Sequence, residues 1–216
     1  MILTIPNVLS RDECRAIRGV LADDDIWKDG GATAVGAAKA AKQNLQADPE
    51  HALTRGTIEK IRNAVEKNQI FLSAARPADY ARVLLSSYGP GMSYGAHVDA
   101  AYIEGMRADL AFTLFLSPPT EYEGGELIVD NAGHEDRVKL PAGSMALLPA
   151  TTIHRVSPVV SGRRLACVGW VKSRIRDAQT RALLFDFDRA LSDLPAGDAR
   201  LRLVNIRNTL LRLFGD

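Results

Sequence analysis

The chain has 216 residues, and its 27 basic and 26 acidic side chains leave a net charge of +1. A charge this balanced provides no field that would draw the protein onto nucleic acid or an anionic membrane, so we expect neither as a partner. Hydrophobic residues make up 46% of the chain, and no apolar run approaches the roughly 20 residues of a membrane span, which is typical of a globular protein. Cys14 and Cys167 lie in apolar stretches, which favours reduced thiols and a cytoplasmic location.

The N-terminal third of the chain is predicted to be helical, with one long interruption. Ser10 and Glu13 have the spacing of a capping box and predict a helix. Asp48-Pro49 predicts the start of a second helix, which extends to about Phe71. Residues 27–46 are rich in glycine, alanine, lysine and asparagine and predict a mobile loop, with a short helix as an option. This loop is either a plain connection or a lid that closes over a cavity.

The pattern changes after Pro77 to short β-rich runs that are separated by turn signals such as Gly89-Pro90-Gly91. The predicted strands are residues 80–88, 107–117, 126–129, 137–140, 145–149 and 163–172. Several short strands at regular spacing indicate a β-sandwich of the jelly-roll type.

Helical periodicity returns from Arg174, with Pro195-Ala196-Gly197 between two helices. Their predicted apolar faces are Leu183, Leu184, Phe187 and Leu191 in the first helix and Leu203, Ile206, Leu210 and Leu213 in the second. Such faces are expected to dock on the β-core or on a second copy of the chain. We therefore assign residues 1–77 to helices and a loop that pack on the core, residues 78–173 to the jelly-roll core and residues 174–216 to a C-terminal helical domain.

The sequence contains two His-x-Asp pairs, at His97-Val98-Asp99 and at His134-Glu135-Asp136. Residues i and i+2 of a strand point to the same face, so either pair could converge on a metal ion. His134 lies in a polar turn without an apolar neighbour, which indicates a solvated residue. His97 follows a glycine-rich, aromatic segment that leaves an apolar strand, and it could be either a ligand or a core histidine.

A second histidine and an arginine later in the sequence are further candidates for this site. His154 follows the apolar run 145–149, and Arg164 comes ten residues later. Strand alternation places Arg164 on one face with Val168 and Trp170, and a buried guanidinium there needs an anion, either an internal acid or a carboxylate of a ligand. Two imidazoles and one carboxylate with open positions suit non-haem Fe(II).

These residues resemble those of the iron- and 2-oxoglutarate-dependent dioxygenases, in the prolyl/lysyl hydroxylase branch. The segment Tyr88-Gly-Pro-Gly-Met-Ser-Tyr-Gly-Ala-His-Val-Asp99, the segment Leu148–His154 and Arg164 carry the likeness. Lys42-Gln43-Asn44 and the tail Asn208–Arg212 extend it to the bacterial PKHD-type hydroxylases. Ser87 and Ala100 depart from that subfamily, because relatives often have arginine and asparagine at the corresponding positions.

The resemblance implies a mainly β fold with a double-stranded β-helix (jelly-roll) core, N-terminal helices and a C-terminal helical hairpin. It also implies a hydroxylase that uses Fe(II), 2-oxoglutarate and O2, with ascorbate as a candidate reductant. Its substrate is a peptide or a small molecule, with a prolyl or lysyl side chain as a candidate, and the tail could form a homodimer. The implied site consists of His97, Asp99 and His154 as metal ligands and Arg164, Tyr88, Thr113 and Trp170 around the co-substrate.

Two other functions are compatible with the residues. A cupin-type metalloenzyme without 2-oxoglutarate would leave Arg164 without a role. A non-catalytic jelly-roll module with a binding or regulatory role would not need all three metal-ligand types at workable positions.

Overall fold

Two antiparallel sheets form the core of the computed structural model, which describes residues 2–33 and 42–216. The strands are β1 (Leu3–Ile5), β2 (Trp27–Asp29), β3 (Lys42–Gln43), β4 (Leu45–Ala47), β5 (Pro77–Tyr88), β6 (Ser93–His97), β7 (Tyr102–Ile103), β8 (Met106–Arg107), β9 (Leu110–Phe115), β10 (Tyr122–Gly124), β11 (Leu127–Asn131), β12 (His134–Val138), β13 (Met145–Pro149), β14 (His154–Val156), β15 (Val159–Gly162) and β16 (Arg164–Ser173). The helices are α1 (Arg11–Val20), α2 (Ala52–Val65), α3 (Gln69–Ala75), α4 (Ala178–Ser192) and α5 (Asp198–Phe214).

The larger sheet has seven strands in the order β1-β13-β9-β16-β5-β4-β2, and the smaller has five in the order β12-β11-β14-β6-β3. Strand β16 lies between β5 and β9, and its alternate side chains point to opposite faces of the sheet. Leu165 and Cys167 point to the main hydrophobic core, while Arg164 and Val168 point into a pocket between the sheets. The predicted alternation and the jelly-roll core are therefore confirmed.

Helices cover the outer face of the larger sheet. The predicted capping box is present at the start of α1, where the Ser10 hydroxyl accepts from the Glu13 amide and the Glu13 carboxylate accepts from the Ser10 amide. Cys14 and Ile17 then pack in the same core cluster as Leu165 and Cys167 of the sheet. This packing leaves the other face of the sheet free to form the pocket.

The loop predicted for residues 27–46 is wrong at both ends, although the short helix allowed for in it is present as a 3-10 helix at Gly30–Thr33. Strands β2 and β4 extend the larger sheet beyond β5, and β3 pairs with β6 at the edge of the smaller sheet. These strands have two or three residues each, so they show too few alternations to be recognised in the sequence. The centre of the predicted lid, residues 34–41, lies outside the described residues.

The helix predicted to start at Pro49 and end at about Phe71 is two helices. The first begins only at Ala52, with His51 as its N-cap residue. A new helix, α3, begins after Asn68, whose side-chain oxygen accepts a hydrogen bond from the Phe71 amide at 2.9 Å. Asparagine is a strong N-cap residue, and this cap ends one helix and starts the next.

The C-terminal helices dock mainly through α4. Leu184 and Leu191 are buried, but Leu183, predicted on the same face, is 60% exposed. Asp188 of α4 accepts hydrogen bonds from Ser73, Arg76 and Arg207, with a distance of 2.7 Å to Arg76 Nη2. Burial raises the pKa of Asp188, but these hydrogen bonds and charges outweigh it and hold the pKa below its usual value.

The apolar face predicted for α5 does not dock as a unit. Ile206 is 48% exposed and Leu213 is 69% exposed, while Arg207 turns inward to Asp188. Part of the apolar face predicted for α5 is therefore exposed, while Arg207 contacts α4. Within residues 2–33 and 42–216, none of the helices combines the length and apolar character needed to cross a membrane.

Candidate active site

His97, Asp99 and His154 come together in the pocket between the two sheets. The candidate ligand atoms of these three residues lie within 4.8 Å of one another, close enough to hold one metal ion. His97 is the last residue of β6 and lies directly opposite His154, the first residue of β14. Asp99 follows β6 by two residues, so the His-x-Asp spacing brings its carboxylate to the same point.

The backbone orients both imidazoles. Nδ1 of His97 lies 2.9 Å from the Gly95 carbonyl oxygen, and Nδ1 of His154 lies 2.9 Å from the Thr152 carbonyl oxygen. A carbonyl oxygen can only accept, so each Nδ1 carries a proton and each Nε2 keeps a lone pair. Burial, followed by the charge of His154, lowers the pKa of His97 to about 4, which keeps this ring neutral at neutral pH.

Asp99 completes the donor set with a carboxylate, one oxygen of which has no hydrogen-bond partner. Its Oδ2 is buried without a hydrogen bond, and the same is true of the Trp170 indole nitrogen. Burial raises the pKa of Asp99, while the charge of His154 and the nearby indole act in the opposite direction. A buried carboxylate oxygen without a donor is rare in a folded protein and fits a site that receives a cation.

Arg164 lies in the same pocket and is 1% exposed. Its guanidinium carbon lies 5.2 Å from the ring centre of Tyr88 and 5.4 Å from that of Phe115. No carboxylate among the described residues pairs with it, and its Nε has no hydrogen-bond partner. Burial lowers the pKa of Arg164, as expected for a cation without an internal acid.

The register of the larger sheet explains why the other predicted residues also line this pocket. Tyr88 on β5 lies opposite Arg164, and Thr113 on β9 lies opposite Val168. Both side chains and Trp170 line the pocket, which encloses a cavity of about 60 Å³. Burial raises the pKa of Tyr88, so its hydroxyl stays protonated and can donate a hydrogen bond.

Sequence reasoning missed a polar wall on the N-terminal side. The pocket is lined by Lys42 of β3, Gln46 of β4 and Asn44, which lies between the two strands. Burial and the charge of Arg82 lower the pKa of Lys42 to about 8, and its Nζ lies 5.2 Å from the Tyr94 ring centre. The signal was present as polar residues at every second position, but the surrounding glycines and alanines suggested a loop.

The remaining two histidines lie outside the site. His134 is exposed at the start of β12, where its Nε2 lies 3.0 Å from Asp136 of its own His-x-Asp pair. His51 is the N-cap residue of α2. Among the described residues, His97, Asp99 and His154 are the one cluster of three or more candidate ligands.

Comparisons with known proteins agree with this geometry. The profile of the 2OG-Fe(II) oxygenase superfamily matches residues 83–172. A PKHD-type hydroxylase of Parvibaculum lavamentivorans is 45% identical over 219 residues, which is 100% of each chain. A PKHD-type hydroxylase of Paraburkholderia phymatum is 40% identical over 226 residues, again 100% of each chain.

Solved structures show the same fold at lower identity. A prolyl-4-hydroxylase of Pseudomonas putida is 21% identical with a TM-score of 0.55, covering 80% of this chain and 92% of that one. A prolyl hydroxylase of Trichoplax adhaerens in complex with a hypoxia inducible factor peptide fragment is 14% identical with a TM-score of 0.59, covering 84% and 86%. The chain belongs to the PKHD-type hydroxylases of the 2OG-Fe(II) oxygenase superfamily, and it is a dioxygenase that uses Fe(II), 2-oxoglutarate and O2.

Proposed function

We propose that His97, Asp99 and His154 hold the Fe(II) ion through the two Nε2 atoms and one carboxylate oxygen. The observation that carries this proposal is their convergence within 4.8 Å beside a buried arginine that lacks an acid partner. Three protein donors leave coordination positions open for a chelating co-substrate and oxygen. The carbonyl partners of both Nδ1 atoms hold the rings in place and leave both Nε2 atoms available to the ion.

Arg164 is proposed to bind the distal carboxylate of 2-oxoglutarate. A guanidinium can donate two parallel hydrogen bonds to a carboxylate, and this pairing is strongest where water is excluded. Tyr88 adds a hydroxyl donor beside it, and Thr113 and Trp170 form the adjoining wall. These residues orient the co-substrate so that its keto-acid end faces the three metal ligands.

When bound, Fe(II) with 2-oxoglutarate and O2 supplies the oxidation: one oxygen atom enters succinate as CO2 is lost, and the other forms a hydroxyl on the substrate carbon. The chain contributes orientation and a dry cavity. Leu127, Leu148 and Val156 line the pocket and limit the access of water to the reacting centre.

The substrate is proposed to be a prolyl or lysyl side chain of a peptide, a free amino acid being the smaller alternative. The names of the structural neighbours, prolyl hydroxylases, support this choice. The test is substrate-dependent release of succinate with peptide libraries containing proline or lysine, compared with the free amino acids. Release that depends on a peptide and disappears in His97→Ala supports the proposal, and release with neither class contradicts the substrate assignment.

Two further predictions concern the whole protein. A cytoplasmic location is supported by Cys14 and Cys167, which are both free and buried. A homodimer through the tail would use the exposed side chains Ile206 and Leu213 on α5. Light scattering of the full chain would show twice the chain mass for a dimer, and the mass of one chain would contradict it.

A further inference from the structure

Asn44 is among the most buried polar residues of the protein, and its side chain is left without a hydrogen bond. It is 3% exposed, and its Oδ1 and Nδ2 are both buried without a hydrogen-bond partner in the described part of the chain. A buried carboxamide without partners is strongly disfavoured unless a ligand or an ordered water supplies its hydrogen bonds. The residue lines the pocket that contains Arg164.

The strand register places Asn44 in one row with Tyr88 and Arg164. Leu45 lies opposite Ser87, so continuing the pairing of β4 and β5 by one residue brings Asn44 opposite Tyr88. Tyr88 in turn lies opposite Arg164 on the next strand. Cross-strand neighbours have Cβ atoms about 5 Å apart, so the three polar groups form one continuous row across the pocket wall.

Gly30 provides the space for the Asn44 carboxamide. Its amide donates to the Asn44 backbone oxygen at 2.9 Å, which brings the two residues face to face. A Cβ added to Gly30 would lie 2.1 Å from Asn44 Oδ1, far inside any real contact, so a side chain there would displace the amide. The missing side chain at Gly30 therefore preserves the position of the Asn44 side chain.

We propose that Asn44 is a third binding residue for the distal carboxylate of 2-oxoglutarate, donating from Nδ2 alongside Arg164 and Tyr88. A carboxylate offers about four lone-pair positions, more than one guanidinium fork can occupy. This inference rests on the proposed function and deepens it, because it makes the segment between β3 and β4 part of the co-substrate site. The competing explanation is an amide that only packs the edge of the sheet.

The test measures ligand binding to the full chain, with Mn(II) in place of Fe(II), by calorimetry. Asn44→Ala should weaken 2-oxoglutarate binding about tenfold, equivalent to about 1.4 kcal/mol. The same variant should bind 2-oxobutanoate, which lacks the distal carboxylate, as tightly as wild type does. Asn44→Asp keeps the shape of the side chain but faces carboxylate with carboxylate, so it should weaken 2-oxoglutarate binding more than alanine does.

Gly30→Ala should reproduce the loss seen in Asn44→Ala, because it displaces the same amide. Gly89→Ala is the matched control, since an added Cβ there meets no atom within 4 Å. Equal weakening of both keto acids, or an aspartate variant that binds better than the alanine variant, would show that Asn44 only packs the sheet edge.

Arg164→Ala separates this inference from the proposed function. If wild type fails to bind 2-oxoglutarate, the proposed function is wrong. If Arg164→Ala loses binding while Asn44→Ala and Gly30→Ala bind like wild type, only the role of Asn44 is wrong.

Discussion

Replacing Arg164 with methionine should change stability and co-substrate binding in opposite directions. In the absence of ligand the guanidinium is 1% exposed and has no acid partner, so the folded protein carries a buried charge that only aromatic rings offset. Methionine has a similar length and no charge, and it fills irregular space well. The ligand-free variant should therefore be more stable than wild type.

The size of the effect follows from two opposing contributions. Burying an unpaired ion costs several kcal/mol even after relaxation, whereas each of the two cation–π contacts contributes roughly 0.5–2 kcal/mol. The difference leaves a net stabilisation of about 1–2 kcal/mol in the variant. For a chain of this length, each 1 kcal/mol shifts the melting temperature by about 2–4 °C, so we expect a rise of about 2–8 °C.

The assay is thermal unfolding with Mn(II), with and without 2-oxoglutarate. At a concentration of 100 times Kd the ligand should stabilise wild type by about 2.7 kcal/mol, or about 5–11 °C, and it should leave Arg164→Met unchanged. Arg163→Met is the control, because Arg163 is partly exposed, contacts Trp27 and donates to Ser87. If Arg164→Met melts lower than wild type and still responds to 2-oxoglutarate, Arg164 is a structural residue and the reasoning fails.

Three further predictions address the metal site, the tail and the core. His154→Ala should abolish Mn(II) binding measured by calorimetry, while His134→Ala should bind Mn(II) like wild type. Loss of binding in His134→Ala alone would show that the metal site is the His134-Asp136 pair. Asp188→Asn should lower the free energy of unfolding in urea by about 1–3 kcal/mol at pH 7. Burial raises the pKa of Asp188, but the neighbouring donors outweigh this effect and hold the pKa low. The stabilisation is therefore present above the unfolded pKa of about 3.9 and is lost as the pH falls through the lower pKa of the folded protein. A difference between the proteins that stays constant from pH 7 to pH 3 would contradict the ion-pair explanation. Gly169→Ala should destabilise the protein by about 1–3 kcal/mol, because its Cβ would lie 2.3 Å from the Phe112 ring, and Phe112→Leu in the same chain should recover part of that loss.

The features that depend on neighbouring residues could be predicted from the sequence. The capping box of α1, the alternation along β16 and the His-x-Asp spacing each involve residues within a few positions of one another. Backbone geometry alone determines which of these side chains share a face, so their direction follows once the element is assigned. The two His-x-Asp pairs and the inward-facing Arg164 could therefore be identified from the sequence by itself, and the full donor set followed from the resemblance to the dioxygenases.

Only the tertiary structure decided which features came together. Both His-x-Asp pairs have the same local form, and His97 is distinguished by β14, which brings His154 from 57 residues away to the opposite position. The role of Asn44 depends on β4 pairing with β5, and a strand of three residues is too short to show a periodicity in the sequence. In α5, Arg207 pairs with Asp188 of α4 while Ile206 and Leu213 are exposed, an orientation that the apolar pattern alone does not predict. Which strands pair over long sequence distances depends on the free energy of the whole fold. A local sequence pattern therefore cannot predict such pairing.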